Sequence, residues 1–233
     1  MKAFFFIVFA TLVSFTLIIL MSKPPILIID TPITFNQERI DLTKSYIKEH
    51  YDLNVSHITI NPKMIVLHWT EDANVTKCFE LFNPESIQAE LLTQHANIVK
   101  QAGQLNVSAH FLIDKKGHIF RLMPESQMAR HVIGLNYHAI GIENVGGVTD
   151  NGHAQADLTP AQVRANIELV AYLKKKFPKI EYLIGHYEYT NFEKHPLWME
   201  KDDNYRTTKD DPNPQFVDEI YTEISDLQLK RQP

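Results

Sequence analysis

Cysteine is almost absent from this sequence, which has Cys78 alone among its 233 residues. A single cysteine excludes a disulfide framework within the chain, and it excludes zinc fingers built from cysteines. Histidine and carboxylate side chains are then left as the metal ligands. An excess of basic residues is missing too, since the net charge is −5 at pH 7. This charge argues against nucleic acid as the main partner.

The length and composition predict one medium-sized globular domain. The apolar fraction of 44% and the charged fraction of 22% are ordinary for a globular protein. A chain of 233 residues can form one domain with a hydrophobic core of ordinary size, but it is too short for two large domains. The sequence contains neither an internal repeat nor a low-complexity segment.

The N-terminal segment is predicted to lie outside this domain. Residues 3–21 are 19 residues without a charge, about the length of a helix that crosses a bilayer. No Ala-x-Ala cleavage site and no lipoprotein cysteine follows, so an uncleaved anchor is favoured over a cleaved signal. Lys2 and Lys23 flank the segment and leave its orientation open. Both alternatives predict export to the periplasm or cell envelope, with the membrane as a partner if residues 1–22 are retained.

The rest of the chain divides, in our prediction, into residues 23–58 and residues 59–233. The first part begins with prolines that indicate an extended tether, and residues 42–51 have the spacing of a lead-in helix. Within the second part, residues 71–84 are polar and predict a loop at the rim of the fold. Residues 86–101 have the spacing of a helix.

Two short apolar segments end in histidine. Met64-Ile65-Val66-Leu67 precedes His68, and Tyr182-Leu183-Ile184-Gly185 precedes His186. Successive apolar residues, some of them β-branched, predict strands that are covered on both faces. Each histidine then stands at the edge of the sheet, where sites in α/β folds usually lie. The alternative is that these are two unrelated histidines among the 11 in the chain.

Further patterns predict an α/β fold. Residues 109–122 indicate a hairpin turned at Gly117, and residues 139–147 contain another apolar strand. Thr159 and Pro160 can open a helix that leads into the strand before His186. This β–α–β order is typical of sheets with a parallel component. A last amphipathic helix is predicted for residues 214–227.

A catalytic zinc needs a third protein ligand and an open position for water. The proline-rich turn at residues 209–214 can supply an aspartate oxygen beside the two histidines. Glu143, an acid in an apolar strand, is either paired there or able to accept the proton of an attacking water. Lys209 can stabilise a developing oxyanion. This set predicts amide or ester hydrolysis, without any compact HExxH motif.

Seven segments resemble the zinc-dependent N-acetylmuramoyl-L-alanine amidases, the type 2 amidase and peptidoglycan recognition protein superfamily. They occur in the order of the family and cover roughly residues 60–216. They are Ile65-Val66-Leu67-His68-Trp69-Thr70, Val107-Ser108-Ala109-His110-Phe111-Leu112-Ile113-Asp114, Gly117-His118-Ile119-Phe120-Arg121-Leu122, Arg130-His131 with Asn136, Ala139-Ile140-Gly141-Ile142-Glu143, Ile184-Gly185-His186, and Lys209-x-Asp211-Pro212.

The resemblance implies the fold, the site and the reaction. It implies an α/β fold with a mixed central β-sheet, flanked by α-helices, and a zinc site in a surface cleft. His68, His186 and Asp211 would hold Zn²⁺, Glu143 would be the catalytic acid, and Lys209 would assist at the oxyanion. The substrate would be the amide between the lactyl group of N-acetylmuramic acid and L-alanine, in peptidoglycan or a muropeptide. No protein partner is predicted.

Other matched positions leave alternatives open. His131 and Asn136 match positions near the substrate cleft, and Trp69 either stacks on the substrate or packs in the core. The family turn usually reads Asp-Pro-Gly, whereas Asn213 stands in place of the glycine; asparagine tolerates left-handed backbone angles, so the turn can survive. The gap before the turn is also long, which leaves Asp210 as a competitor of Asp211 for the third ligand position, although the Lys-x-Asp-Pro register favours Asp211.

Two functions of different classes therefore compete. The first is an exported zinc amidase, and the second is a peptidoglycan-binding recognition module without catalysis. Binding-only members of the family typically lack a metal ligand, whereas this sequence has the ligand trio together with Glu143 and Lys209. The enzyme is favoured on that ground. A membrane-anchored structural protein would require the ordered matches to be accidental.

Overall fold

A six-stranded mixed β-sheet forms the centre of the molecule. The computed structural model describes residues 25–87, 103–147 and 158–233. Its strands are β1 (Ile28–Asp30), β2 (Met64–Trp69), β3 (Phe111–Ile113), β4 (Ile119–Arg121), β5 (Ala139–Asn144) and β6 (Tyr182–Gly185). They lie in the order β1-β4-β3-β5-β2-β6, and every neighbouring pair is parallel except the β3–β4 hairpin. The predicted mixed sheet is confirmed.

Four α-helices surround this sheet within the described part of the chain. They are α1 (Gln37–Tyr51), α2 (Val75–Phe82), α3 (Pro160–Lys176) and α4 (Pro214–Glu223). Short 3₁₀ turns occupy Asn136–His138, His186–Phe192 and Ser225–Leu227. The helix predicted before β6 and the last helix of the chain are therefore both present.

Strand β2 is buried on both faces, as its apolar run predicts. Ile65 and Leu67 pack with side chains of α3 and α4, in a cluster that includes Leu169, Val170, Leu173, Phe216, Val217 and Ile220. Met64 and Val66 point to the other face and pack with Val132, Leu135, Tyr189 and Phe192. Because alternate side chains meet two separate clusters, the register of β2 is fixed and the position of His68 with it.

Helix α3 begins with a capping box. The Thr159 side chain accepts a hydrogen bond from the Gln162 backbone N–H at 3.2 Å, and the Gln162 side chain accepts one from the Thr159 N–H at 2.9 Å. Pro160 occupies the first turn, where its missing N–H costs nothing. The Thr159-Pro160 signal therefore predicted the start of this helix correctly.

Two segments differ from their predictions. Residues 71–84, predicted as a loop, contain α2, because Asn74 caps the helix by accepting hydrogen bonds from the Thr76 and Lys77 N–H groups. Cys78 and Phe82 on this short helix are then buried. The tether predicted at the start of residues 23–58 contributes β1, which pairs with β4 at the edge of the sheet. Helix α1 begins at Gln37, before the predicted start at residue 42.

Other predicted segments fall where the structure gives no description. The apolar run at residues 3–21 and most of the helix predicted for residues 86–101 lie outside the described residues; Ser86 itself forms an antiparallel bridge with Leu105. Within residues 25–87, 103–147 and 158–233, no helix has both the length and the apolar character needed to cross a bilayer.

The capping box of α3 can be tested by mutation. Thr159→Ala removes one of the two reciprocal hydrogen bonds, so we expect a loss of about 1 kcal/mol in the free energy of unfolding. Thr222→Ala is the matched control, because Thr222 is exposed within α4 and caps no helix. Urea denaturation of both variants measures the difference. Equal stability of Thr159→Ala and wild type would contradict a stabilising role for the cap.

Candidate metal centre

The parallel register of three strands brings the candidate ligands together. In β2 and β5, His68 lies directly beside Glu143, and in β2 and β6, Leu67 lies beside Gly185, which precedes His186. The carboxyl ends of parallel strands meet at one edge of a sheet. His68, Glu143 and His186 are consequently neighbours in space although they are far apart in sequence.

Two histidines and one aspartate converge at this edge. The Nδ1 atoms of His68 and His186 lie 3.0 Å apart, and Oδ2 of Asp211 lies 3.2 Å from the first and 3.1 Å from the second. All three residues are buried. Tetrahedral zinc with nitrogen ligands at 2.0–2.1 Å holds neighbouring ligand atoms about 3.3 Å apart. The three donor atoms therefore fit such an ion in both type and spacing.

The protonation states of these groups suit a metal. Burial and the neighbouring His68 lower the pKa of His186 to about 4, so its imidazole is neutral at pH 7. Burial raises the pKa of Asp211, but the charges and hydrogen bonds of His186 and His68 outweigh it and leave this pKa below its usual range. A neutral imidazole and an anionic carboxylate are the forms that coordinate a metal.

The structure brings Asp211, rather than Asp210, to the two histidines. Asp211 is buried between them, whereas Asp210 is exposed. Asn213 does not adopt the left-handed conformation considered for the family turn, because its φ is −49°. Its side chain instead accepts a hydrogen bond from the Gln215 N–H at 2.8 Å and caps α4. The glycine of the family turn is therefore replaced by a helix cap.

The segment that carries His186 is braced from two sides. The Tyr187 N–H donates to the Asp211 carbonyl at 3.0 Å, which ties the two ligand segments together. The Glu188 carboxylate accepts a hydrogen bond from the Gly185 N–H at 2.9 Å and forms an ion pair with Arg231. Arg231, near the C-terminus, also donates to the Tyr187 hydroxyl at 2.6 Å.

His131 lies directly behind His68. Its Nδ1 is 3.0 Å from His68 Nε2, the ring nitrogen that faces away from the other two candidate ligands. The His131 ring packs on β5 at Gly141, where a Cβ would lie only 2.7 Å from the ring. Burial, followed by the charge of His68, lowers the pKa of His131 well below its usual value. A neutral His131 can fix the orientation of the His68 ring, as partners of metal ligands do.

Asn136 and Trp69, both predicted near the substrate, are buried. The Asn136 side-chain oxygen accepts hydrogen bonds from the His131 and Val132 N–H groups, each at 2.8 Å. Trp69 packs over Gly147, where a Cβ would lie 2.3 Å from the indole. Both side chains still border a cavity at the site, Asn136 on one side of His131 and Trp69 beside His68.

Glu143 and Lys209 line the same cavity as the candidate ligands. This cavity has a volume of about 230 Å³ and also contains Thr70, Glu71, Leu81 and Asp211 in its wall. Burial raises the pKa of Glu143 well above its usual value, the charge of Asp211 raises it further, and Lys209 opposes the shift. The Oε2 atom of Glu143 is buried without a hydrogen-bond partner in the described part of the chain. A carboxyl group in this state can accept and donate a proton.

Three further residues at the site, Arg130, Tyr46 and Tyr205, were assigned no role from the sequence. All three border a second cavity beside His131 and His186. Tyr46 belongs to α1 and Tyr205 to the long segment between His186 and Asp211, so no local motif connects them. The only signal in the sequence is that Arg130 belongs to the matched segment Arg130-His131.

The fold and the site together define a class: an α/β domain with a buried His-His-Asp cluster at the carboxyl edge of its sheet that could hold a metal ion. The chain belongs to the N-acetylmuramoyl-L-alanine amidase family, whose model matches residues 59–214. The resemblance found in the sequence is thereby confirmed.

Known proteins share parts of this chain. It is 35% identical to the endolysin of Escherichia phage T7 over 78 residues, which is 34% of this chain and 52% of the endolysin. It is 30% identical to the endolysin of Enterobacteria phage K11 over 87 residues, which is 37% of this chain and 58% of the endolysin. The chain thus spans about half the length of the curated relatives it matches.

Solved structures share its fold. The endolysin amidase LysCS from Clostridium intestinale URNW superimposes with a TM-score of 0.50 at 21% identity, covering 90% of this chain and 100% of LysCS. A selenomethionine derivative of AmpD gives a TM-score of 0.50 at 21% identity, covering 87% of this chain and 94% of AmpD.

The raised pKa of Glu143 predicts a pH-dependent stability. In the unfolded chain Glu143 ionises above its usual pKa of 4.5, whereas the folded site resists ionisation. Folding stability is therefore lost as the pH rises from about 4.5 towards the raised pKa. We expect Glu143→Gln to raise the Tm of the metal-free protein at pH 7 and to have little effect at pH 3.5.

The control for this prediction is Glu219→Gln, which alters an exposed glutamate of α4. Thermal unfolding of both variants and wild type across this pH range, in the presence of a chelator, measures the effect. A Tm difference that does not change with pH would show that the Glu143 pKa is not raised.

Proposed function

We propose that this protein hydrolyses the amide bond between N-acetylmuramic acid and L-alanine in peptidoglycan or muropeptides, using one zinc ion. The observation that carries the proposal is the convergence of His68, His186 and Asp211 in a cavity that also contains Glu143. Membership of the N-acetylmuramoyl-L-alanine amidase family supports the same reaction.

Zinc would be held by the Nδ1 atoms of His68 and His186 and by the Asp211 carboxylate. Bound in this way, with an open fourth position, it would lower the pKa of a water molecule and polarise the scissile carbonyl. His131 would act on this centre indirectly, by keeping the His68 ring in the orientation that directs Nδ1 towards Asp211.

Glu143 would transfer the proton. Its carboxylate takes a proton from the attacking water as the water oxygen bonds to the amide carbon. The resulting carboxylic acid then gives this proton to the nitrogen of L-alanine as the carbon–nitrogen bond breaks. The raised pKa of Glu143 suits the second step, because a carboxyl group that resists ionisation holds the proton until the nitrogen accepts it.

Lys209 would stabilise the negative charge that develops on the carbonyl oxygen. It borders both cavities at the site and forms no ion pair within the described residues. A cation fixed near that oxygen lowers the energy of the transition state more than that of the substrate. We assign His131 and Trp69 to the cleft wall that contacts the substrate, and Asn136 to the support of the His131 loop.

The second candidate function is a non-catalytic peptidoglycan-binding module. Such a module needs a cleft but has no need of a buried, unpaired carboxylic acid beside a metal site. The unpaired Glu143 carboxylate is costly to bury, so its retention favours catalysis.

The cellular location follows from the proposed substrate. We propose that residues 1–22 are an export segment and that residues 59–233 form the amidase domain together with β1 and α1 from the preceding residues 23–58, since β1 pairs with β4 and α1 packs in the core. Residues 3–21 have the length and composition of a membrane anchor. The protein would then act in the periplasm or cell envelope, where intact cell wall is accessible.

Metal binding can be tested with neighbouring aspartates. We expect Asp211→Asn to lower zinc affinity by at least about tenfold, because a neutral amide replaces the anionic ligand. Asp210→Asn should leave zinc affinity unchanged, because Asp210 is exposed. Metal analysis after dialysis against graded zinc buffers measures both. Full zinc content in Asp211→Asn, or its loss in Asp210→Asn, would contradict the ligand assignment.

Catalysis can be separated from metal binding at Glu143. We expect Glu143→Gln to retain zinc and to lower the release of stem peptides from purified peptidoglycan by about 10²–10⁴-fold. Glu219→Gln is again the matched control and should digest the wall at the wild-type rate. Mass spectrometry of the released products measures the rate and identifies the bond that is cleaved. Undiminished turnover in Glu143→Gln would show that Glu143 does not transfer the proton. Intact sugar–peptide amides after digestion with wild type would contradict the proposed reaction.

A further inference from the structure

A second cavity adjoins the metal centre. It has a volume of about 140 Å³ and shares part of its wall with the cavity of Glu143, namely Val107, Arg130, His131, His186 and Lys209. Its remaining wall includes Tyr46, Tyr205 and Thr207. We call it the Arg130 cavity. A ligand bound at the metal centre can therefore extend into it without leaving the protein surface.

Arg130 is a buried cation in the wall of this cavity. Its exposed fraction is only 7%. The guanidinium donates one hydrogen bond to the Leu105 carbonyl and one to the Tyr205 hydroxyl at 3.2 Å, and it lies 5.6 Å from the centre of the Tyr46 ring. All these partners are neutral. Among the described residues, no carboxylate forms an ion pair with it.

A buried charge without a counter-ion is costly, and proteins usually pair such charges. The other buried arginine, Arg39, differs because carbonyl groups of residues 82–84 surround it, and it borders neither cavity at the site. Arg130, by contrast, borders both cavities, and Lys209 adds a second cation that is unpaired within the described chain. The two cations make this side of the cleft attractive to an anion.

We infer that the Arg130 cavity is a carboxylate subsite for the stem peptide of the substrate. The inference rests on the proposed function, and it adds that Arg130 recognises a carboxylate of the stem peptide. In N-acetylmuramic acid linked to L-alanine, the lactyl carboxyl group is consumed by the amide, so the sugar carries no negative charge. The negative charges of a muropeptide therefore lie on its peptide, the group that leaves when the amide is cleaved.

The second stem residue is the first one beyond the alanine that can carry such a charge. An extended chain advances about 3.3–3.6 Å per residue, so this residue lies one step beyond the alanine whose nitrogen is released. It is a glutamate linked through its side chain, and its α-carboxyl group is either free or amidated. A guanidinium has five N–H donors in a fork that matches a carboxylate, and the described contacts of Arg130 use two of them. Arg130 thus selects the free carboxylate over the carboxamide.

A matched pair of substrates tests this selection in the full-length zinc protein. One is N-acetylmuramoyl-L-alanyl-γ-D-glutamyl-L-lysine, and the other has D-isoglutamine in place of the glutamate, so that they differ by one carboxylate. We expect wild type to prefer the free carboxylate by about tenfold to a hundredfold in kcat/KM, the range that a charged hydrogen bond provides. The preference should lie mainly in KM, because this contact is made equally in the bound substrate and the transition state.

Arg130→Gln removes the charge and should abolish the preference, mainly through a higher KM for the glutamate substrate. Arg130→Lys keeps the charge without the fork and should retain an intermediate preference. Arg164→Gln, the matched control, removes the charge of an exposed arginine of α3 that borders neither cavity, and it should preserve the preference. Zinc content and Tm of each variant identify any general loss of folding.

The outcomes separate this inference from the proposed function. If wild type cleaves neither substrate, the proposed reaction is wrong, and calorimetric binding of the two compounds to wild type then tests the subsite without turnover. Equal kcat/KM values of wild type for the two substrates, or equal affinities if neither is cleaved, would overturn the subsite. An equal loss on both substrates in folded Arg130→Gln would overturn it as well. If Arg130→Gln does not fold, the wild-type comparison and Arg130→Lys decide the question.

Discussion

The structure depends on the burial of two imidazoles and one carboxylate around a single point. His68 and His186 would repel each other as cations at 3.0 Å, and burial holds the pKa of His186 near 4. The two rings lie this close because parallel strands bring them together in a fixed register, and the core on each face of β2 maintains that register. Buried polar side chains such as these are stable only when their hydrogen-bond and charge partners are also in place. This constraint explains why the surrounding residues are so closely interlocked.

The support of the site extends well beyond its ligands. The His131 ring packs directly on Gly141, where any side chain would occupy the position of the ring. The Nδ1 atom of His131 then faces His68 Nε2. Glu188 and Arg231 hold the turn that begins at His186, although Arg231 lies beyond the part of the chain that the family model matches. The helix cap of Asn213 stands where the family turn has a glycine. These contacts show how a long segment between His186 and Asp211 is compatible with close approach of the two ligands.

Charge is distributed unevenly across the cleft. Glu143 and Asp211 border the cavity at the metal centre, and the neighbouring Asp211 charge contributes to the raised pKa of Glu143. Arg130 and Lys209 border both cavities, so the cations form the boundary between the metal centre and the Arg130 cavity. An anionic substrate would be repelled by the two carboxylates alone. The cations offset this repulsion and direct negative charge towards the Arg130 cavity, where it does not compete with proton transfer at Glu143.

The sequence by itself determined the local structure and the chemical class of the site. Apolar runs fixed β2 and β6, the Thr159-Pro160 signal fixed the start of α3, and the scarcity of cysteine left histidine and carboxylate as ligands. The Lys-x-Asp-Pro register favoured Asp211 over Asp210, but only the tertiary structure shows that Asp211 is buried beside the two histidines and that Asp210 is exposed, because burial depends on distant segments. It also decided that His131 supports His68 and that Arg130, Tyr46 and Tyr205 share a cavity. These relations join residues of distant segments, and no local periodicity or turn signal records which segments will meet in space.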